Sequence, residues 1–295
     1  MASAPTATPL CILGHPYTNR DRLPLTGGKK QLREEGRHPG SALIWHLHNG
    51  PRPQDLEVVQ HRPGGLPLIV VLPEKTEALA DPRFLHMLES VRPLGILPFQ
   101  ELPAPEDLVA VLRQPPEDLA AEVTDYLVWR GIPLGRETAR LIRKTLALSA
   151  ELRSISALSR SLYLSRRALG RRFLEQGLPV PSHWLQFGRI LRVAVRLQNS
   201  EESVVSIGYE LGYPDGFSLS NQMLRLTGYR PIEVRRFLGW EWLLEAWMRR
   251  EADTGGLAPA LTQEFLFDPA PRRRPPRSLL AIRPTPDHRE RKAAR

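Results

Sequence analysis

The chain has 295 residues, which predicts two domains with tails if one domain takes about 150 residues. Hydrophobic residues make up 41% of the sequence, enough for ordinary globular cores, whereas 29 prolines exclude continuous regular structure where they cluster, toward both ends. The formal net charge of +9 suits a polyanionic partner such as nucleic acid, although an arginine-rich genome produces the same excess.

The cysteine content and the hydropathy pattern limit the protein class further. Cys11 is the single cysteine, which excludes an intramolecular disulfide and a zinc cluster of several thiolates. No apolar run approaches the roughly 20 residues that a membrane-spanning helix needs. Residues 1–9 lack the positive start and the apolar core of a secretory signal. We therefore expect a cytoplasmic protein without membrane association.

The N-terminal part of the chain predicts an irregular segment followed by a small α/β domain. Residues 1–40 are rich in Pro, Gly and polar residues, so we expect little regular structure there, apart from an apolar run at residues 10–13. In residues 41–116, apolar runs bounded by Pro and Gly alternate with amphipathic stretches, a pattern typical of a parallel sheet. The predicted strands are residues 42–45, 66–72 and 94–97, and the predicted helices are residues 81–91 and 105–112.

The remainder of the chain predicts helices and then a tail. Residues 117–133 read as a linker helix with a break at its end, and residues 134–252 read as an all-α domain. Residues 253–295 are rich in Pro and Arg and cannot bury enough apolar surface to fold alone, so we expect disorder. The predicted fold class is therefore α/β plus all-α.

An internal near-repeat with a period of about 50 residues lies within the predicted all-α domain. The first copy has the order Leu158, Leu162, Ser165, Leu169, Phe173, and the second has the order Ile207, Leu211, Asp215, Leu219, Met223. In each copy a short helix ends in a tight turn, a Ser or Asp caps a second helix, and two apolar residues pack that helix onto the first. This arrangement is typical of a helix-turn-helix unit, whose second helix enters the major groove of DNA.

The residues that point away from this packing are the candidate DNA contacts. In the first unit they are Arg166, Arg167, Gly170, Arg171 and Arg172, and in the second unit they are Gly216, Phe217, Ser218, Ser220 and Asn221. The arginines suit phosphate neutralisation and bidentate reading of guanine, or form an ordinary solvated face. Asn221 suits adenine, and Phe217 either touches a thymine methyl or belongs to the core.

A long helix between the two copies is the predicted spacer. Residues 182–197 are amphipathic throughout, and at 1.5 Å per residue they span about 24 Å. With its flanking elements this spacer would set the two recognition helices about one DNA turn apart, roughly 34 Å, on one face of the duplex. Residues 153–250 contain 15 arginines against 8 acidic residues, so the positive charge is concentrated where DNA would bind.

These motifs resemble a known family. Residues 207–215, IGYELGYPD, and residues 227–231, TGYRP, resemble the C-terminal signature of AraC/XylS-type bacterial regulators, and residues 158–173 resemble that family's first helix-turn-helix. The resemblance covers about a third of the chain and implies two recognition helices in adjacent major grooves at promoters. The residues that it implies as base contacts are Arg167 and Arg171 in the first site, and Phe217, Ser218 and Asn221 in the second.

Four positions depart from the family's usual pattern. Ser159 and Gly208 stand where Ala is usual, and Met223 stands where Phe is usual. Asn221 occupies the place of an Arg. The missing arginine implies a weaker or more permissive second half-site.

The strand and helix order of residues 41–116 resembles the later half of a response-regulator receiver domain. The strand that would end in the phosphoryl-accepting Asp ends instead in His46-Leu47-His48, and Leu97-Pro98 stands in place of Lys-Pro. We therefore expect a degenerate receiver-like domain that works through protein contacts or another signal. Two histidines make an incomplete metal site, so we expect no metal and no cofactor.

The function best supported by the sequence is sequence-specific, DNA-binding transcriptional regulation. Double-stranded promoter DNA is the expected partner, and RNA polymerase and a second copy of the chain are further candidates. The alternative is an interaction adaptor, or a non-specific DNA-binding protein, that keeps the fold without base readout. The sequence contains no P-loop, nucleophile elbow or paired-histidine metal motif, so we expect no enzymatic activity.

Overall fold

The computed structural model describes residues 9–48, 50–75 and 81–266. It has an N-terminal α/β region and a C-terminal helical region, as the sequence predicts. The strands of the α/β region are β1 (Leu10–Leu13), β2 (Arg22–Pro24), β3 (Ala42–His46), β4 (Leu68–Val71) and β5 (Gly95–Leu97). Its helices are α1 (Gly28–Glu35), α2 (Pro53–Gln60), α3 (Pro82–Val91) and α4 (Pro105–Arg113). All three strands and both helices predicted for residues 41–116 are confirmed, and α2 was not predicted.

The sheet is mixed rather than wholly parallel. Its strand order is β2-β1-β3-β4-β5, with β3, β4 and β5 parallel and with β1 antiparallel to both of its neighbours. A receiver domain has the order 2-1-3-4-5 with parallel strands joined by helical crossovers. Here β1 and β2 form a hairpin through the short 3-10 helix Asn19–Asp21. The β1–β2 hairpin therefore differs from the first half of a receiver domain. The receiver-like prediction concerned residues 41–116 alone, and it stays a prediction.

Residues before position 41 differ from the sequence expectation of little regular structure. The apolar run 10–13 forms the inner strand β1, and all four of its residues are buried. Tyr17 fixes the following turn, since its hydroxyl donates to Gly40 O at 2.9 Å and accepts from Leu238 N at 2.8 Å. The pairing of β1 with β3 and the hydrogen bonds of Tyr17 join residues that are far apart in sequence. The segment itself therefore shows no periodic pattern.

Apolar layers cover both faces of the sheet. On one face, Trp45 and Val70 belong to a core that includes residues of α1, α2 and α3. On the other face, Ile44 and Ile69 pack with residues of α4 and with Leu238 of the helical region. Because both faces are covered, the central strands are almost wholly apolar.

The helical region contains ten helices within the described residues. They are α5 (Leu119–Trp129), α6 (Arg136–Leu148), α7 (Ile155–Ser161), α8 (Arg166–Leu174), α9 (Pro181–Asn199), α10 (Val204–Glu210), α11 (Gly216–Thr227), α12 (Pro231–Arg236), α13 (Glu241–Asp253) and α14 (Pro259–Leu266). One hydrophobic core joins them. The segment 117–133, predicted as a linker helix, is part of that core through Tyr126 and through Trp129, the last residue of α5.

The predicted disordered tail begins at residue 253, and the structure differs over its first part. Leu257 and Leu261, the latter on α14, are buried in the helical core. Residues 267–295, which carry the rest of that prediction, lie outside the described residues. None of the described helices has the length and apolarity needed to cross a bilayer.

Charged side chains are buried where the α/β region meets the helical region. Arg92 follows α3 and forms ion pairs with Glu241 of α13 and with Glu122 of α5, the latter at 2.9 Å. The Arg62 guanidinium is buried 4.3 Å from the centre of the Trp129 ring. Burial of a charge is costly without a partner, and these arginines have carboxylate, carbonyl or aromatic partners across or beside the boundary.

Candidate nucleic-acid interface

Two helix-turn-helix units form at the predicted positions. The first consists of α7 and α8, and the second consists of α10 and α11. The Ser165 hydroxyl accepts a hydrogen bond from Ala168 N at 3.1 Å, and the Asp215 carboxylate accepts one from Ser218 N at 2.6 Å. That bond to Ser218 lowers the pKa of the Asp215 carboxyl and keeps the cap ionised. Both predicted N-caps are confirmed.

The two turns share one backbone geometry. Tyr163 in the first turn and Gly212 in the second both adopt the left-handed conformation, with φ of 55° and 76°. The left-handed conformation strains the backbone of Tyr163, because its Cβ lies close to a backbone carbonyl oxygen, whereas Gly212 has no Cβ. The second turn has one more residue before its cap, Pro214, so the two copies are offset by 49 residues before the turn and by 50 after it. Tyr163, whose side chain is 95% exposed, was not among the predicted DNA contacts.

The apolar pairs of the repeat hold each recognition helix in place. Leu169 and Phe173 of α8, and Leu219 and Met223 of α11, are all fully buried. Near the second turn, a Cβ added to Gly208 would lie 3.4 Å from Leu219 Cδ2, which is ordinary contact. The predicted inward faces of both helices are therefore confirmed.

The arginines of α8 are not equivalent. Arg166, Arg167 and Arg171 are exposed, and Arg171 lies 3.6 Å from Glu175 on its own helix. Arg172 is half-buried and turns toward α6, where its Nη2 atom lies 3.1 Å from Glu137. Three of the four arginines therefore remain on the outer face, and Arg172 is held by a carboxylate.

Gly170, the remaining candidate on α8, has open space in front of it, since a Cβ there would meet nothing within 4 Å. Because Gly170 has no side chain, a ligand can approach the backbone of α8 closely at this position.

The outer face of α11 is polar and aromatic. Phe217 is 76% exposed, which removes the alternative that it belongs to the core, and Asn221 is exposed one turn later. The Ser220 hydroxyl donates to Gly216 O at 2.7 Å, so its proton is already engaged. A Cβ on Gly216 would lie 2.9 Å from Val205 Cγ2, so this glycine serves the close packing of α10 on α11. Ser218 is half-buried in the first turn.

The offset of 50 residues makes two pairs of side chains equivalent. Arg167 corresponds to Phe217, and Arg171 corresponds to Asn221. On each helix the two residues are four positions apart, Arg167 and Arg171 on α8 and Phe217 and Asn221 on α11, so they lie on one face of that helix. Each unit thus presents two exposed side chains in the same places, with cationic chemistry on α8 and aromatic and amide chemistry on α11.

Helix α9 joins the two units as a fixed scaffold. It has 19 residues, three more than predicted, and spans about 28 Å at 1.5 Å per residue. Arg189 on α9 donates to Leu152 O before the first unit at 3.1 Å, and its guanidinium lies 5.7 Å from the Tyr213 ring in the second turn. Burial raises the pKa of Tyr213 to about 12. Phe187 of α9 also stacks on Trp247 of α13 at 4.2 Å.

No set of metal ligands lies near this surface. Within residues 9–48, 50–75 and 81–266, no group of three or more His, Cys, Asp or Glu side chains is placed to hold a metal ion. The chemistry available on the outer faces of α8 and α11 is hydrogen bonding, positive charge and apolar contact, which are the interactions that read DNA.

Comparison with known proteins agrees with this geometry. Residues 158–236, from α7 to α12, match the family model described as a helix-turn-helix domain, which is of the AraC type. Neither a search of curated proteins nor a search of solved structures gave a match. The matched segment contains both recognition helices and the scaffold helix between them. The chain therefore carries, at residues 158–236, an AraC-type helix-turn-helix domain of a DNA-binding transcription regulator.

Proposed function

We propose that the protein binds specific promoter sequences by inserting α8 and α11 into adjacent major grooves. The observation that carries the proposal is the matched exposure of Arg167 and Arg171 on α8 and of Phe217 and Asn221 on α11. Arginine forms bidentate bonds with guanine, asparagine forms them with adenine, and an aromatic ring contacts the thymine methyl. Two such faces on one scaffold give a recognition site of two half-sites.

The unequal chemistry of the two helices divides their roles in the proposal. The positive charge of the exposed arginines of α8 supplies most of the affinity, because attraction to the DNA phosphates provides a large share of the binding free energy. The uncharged face of α11 supplies discrimination, through Phe217 and Asn221. The protein is further proposed to be a cytoplasmic regulator without enzymatic activity, with RNA polymerase and a second copy of the chain as candidate partners.

The test is selection of bound genomic DNA fragments with the full chain, followed by the same selection with Arg171→Ala. If Arg171 reads a base, its removal costs about 1–3 kcal/mol at one position of the enriched motif and relaxes the preference there. Uniform weakening over all sequences would instead identify Arg171 as a phosphate contact.

Arg172→Ala is the matched control. It removes an arginine from the neighbouring position of the same helix, but that side chain points to Glu137. We expect it to leave the enriched motif unchanged. If the wild-type chain enriches no motif at all, specific promoter recognition is wrong, and the adaptor or non-specific alternative takes its place.

A further inference from the structure

A stripe of positive charge runs along the outer face of α6. Arg136, Arg140 and Lys144 follow one another at intervals of four residues, so they lie on one face of the helix, and all three residues are exposed. Within the part of the chain that the structure describes, none of their side chains forms a hydrogen bond or an ion pair. These three residues are called the α6 stripe below.

The charge of the α6 stripe is not balanced by the carboxylates that form ion pairs at this helix. Glu137 is paired with Arg172 of α8 at 3.1 Å, and Asp118 is paired with Arg143 at 2.5 Å. Like charges one helical turn apart repel one another, and a cation in the first turn, where Arg136 lies, also opposes the helix dipole. The stripe therefore weakens the isolated helix, and an anionic partner would relieve this repulsion.

The α6 stripe adjoins the first recognition helix. The ion pair of Glu137 joins α6 to the flank of α8. Directly before α6, Gly135 N donates to Gln176 Oε1 at 3.0 Å, just after α8. Arg140 and Lys144 follow Glu137 by three and seven residues, so they lie on the same side of α6 as the contact with α8. The positive charge of α8 thus continues onto α6.

We propose that the α6 stripe binds the phosphate backbone of DNA beside the half-site that α8 occupies. DNA is the polyanion that this surface fits, because the stripe is continuous with the exposed arginines of α8. Its three cations span about 12 Å along the helix, a length over which one DNA strand carries about three or four phosphates. Such contacts position a protein on the duplex without selecting a sequence.

This inference rests on the proposed function, because it requires DNA held by α8, and it adds a third contact surface to the two recognition helices. The two proposals are measured by different quantities. Specific recognition is measured by the enriched motif, whereas phosphate contacts are measured by the salt dependence of binding, on any sequence. Failure of one is therefore distinguishable from failure of the other.

The test is fluorescence anisotropy of the full chain at several salt concentrations, with the selected DNA and with a duplex of random sequence. In the double variant Arg140→Gln with Lys144→Gln, the slope of log Kobs against log salt should fall in magnitude by about 2, since each lost phosphate contact lowers it by about 1. The difference in affinity from the wild type should therefore shrink about tenfold between about 50 and about 200 mM salt. The enriched motif should stay the same.

Arg143→Gln is the matched control. Arg143 is exposed on the same helix but is paired with Asp118, so its replacement should keep the wild-type slope. The exchange Arg140→Lys with Lys144→Arg should also keep that slope, because attraction to phosphate requires the positive charge at each position. Arg136 is left in place, since a change of charge in the first turn also alters the stability of the helix.

The outcomes separate the two proposals. An unchanged slope in Arg140→Gln with Lys144→Gln overturns the phosphate contact and makes the α6 stripe an ordinary solvated face. A fall of equal size in Arg143→Gln also overturns it, because the effect would then come from net charge alone. A reduced slope on random DNA without any enriched motif supports the stripe and contradicts only specific recognition. Absence of DNA binding by the wild type overturns both.

Discussion

Arg130, directly after α5, and Glu245 on α13 form a buried ion pair with two hydrogen bonds. Arg130 Nε lies 2.5 Å from Glu245 Oε1 and Nη2 lies 3.0 Å from Oε2, and both side chains are 3% exposed. The Tyr126 hydroxyl donates to Glu245 Oε1 at 2.6 Å and accepts from Gly65 N at 2.8 Å. The turn of the α/β region at Gly65 is thus hydrogen-bonded, through Tyr126, to an ion pair of the helical region.

Removing the charge of Glu245 should strongly destabilise the protein. In Glu245→Gln the side chain keeps its shape, but the buried Arg130 loses the charge of the carboxylate that accepts its two hydrogen bonds. Breaking a buried ion pair in this way costs about 3–5 kcal/mol. We expect a large fall in the free energy of unfolding, measured by urea titration. Glu57→Gln is the control, because it breaks the exposed ion pair with Lys29 and should change stability little. Equal effects of the two substitutions would contradict this assignment.

Two mid-helix glycines should respond oppositely to replacement by alanine. Gly208→Ala should raise the free energy of unfolding by up to about 1 kcal/mol, because Ala is the better helix former and its Cβ fits at 3.4 Å from Leu219. Gly188→Ala should lower it, since its Cβ would lie 2.8 Å from Ser149 Oγ. Thermal denaturation of both variants checks the signs, and a stabilised Gly188→Ala would show that the α6–α9 contact is looser than described.

The hydrogen bond between His183 and Glu251 should make stability depend on pH. His183 Nδ1 lies 2.9 Å from Glu251 Oε2, and this bond raises the pKa of His183 above its ordinary value of 6.5. A raised folded-state pKa contributes stability that is complete below the unfolded pKa and is lost as pH rises through the folded pKa. The difference in Tm between wild type and His183→Asn should therefore shrink from about pH 6 toward about pH 8.

The His183 effect should be small, because its side chain is 44% exposed and solvent screens the charge. His86→Asn, at an exposed position on α3, serves as the control and should give a smaller difference at every pH. A difference for His183→Asn that grows with rising pH would contradict the sign derived from its raised pKa.

Salt dependence should separate phosphate contacts from base contacts on the two recognition helices. Arg166 is exposed at the start of α8, and as a phosphate contact its replacement in Arg166→Gln should reduce the slope of log Kobs against log salt by about 1. Asn221→Ala should keep the slope and relax one base preference. Fluorescence anisotropy with the selected DNA at several salt concentrations measures both. An unchanged slope for Arg166→Gln would remove it from the phosphate contacts.

Much of the helix-turn-helix region was predictable because its signals are local. The Ser165 and Asp215 side chains each accept a hydrogen bond from the backbone nitrogen three residues later. The apolar pairs Leu169 with Phe173 and Leu219 with Met223 lie one turn apart and are buried. Capping and helical periodicity act within a few residues, so they are visible in sequence. The sequence left the exposure of Phe217 open, because an apolar residue at the start of a helix either packs in the core or contacts a ligand.

The sequence by itself determined the two recognition helices, their caps and their inward faces, because each depends on neighbours within one or two helical turns. Only the tertiary structure decided the antiparallel direction of β1, the pairing of Arg172 with Glu137, and the ion pair of Arg92 with Glu241. These relationships join residues that are distant in the chain. Their free energy arises only after the chain has brought them together, so no local pattern records them.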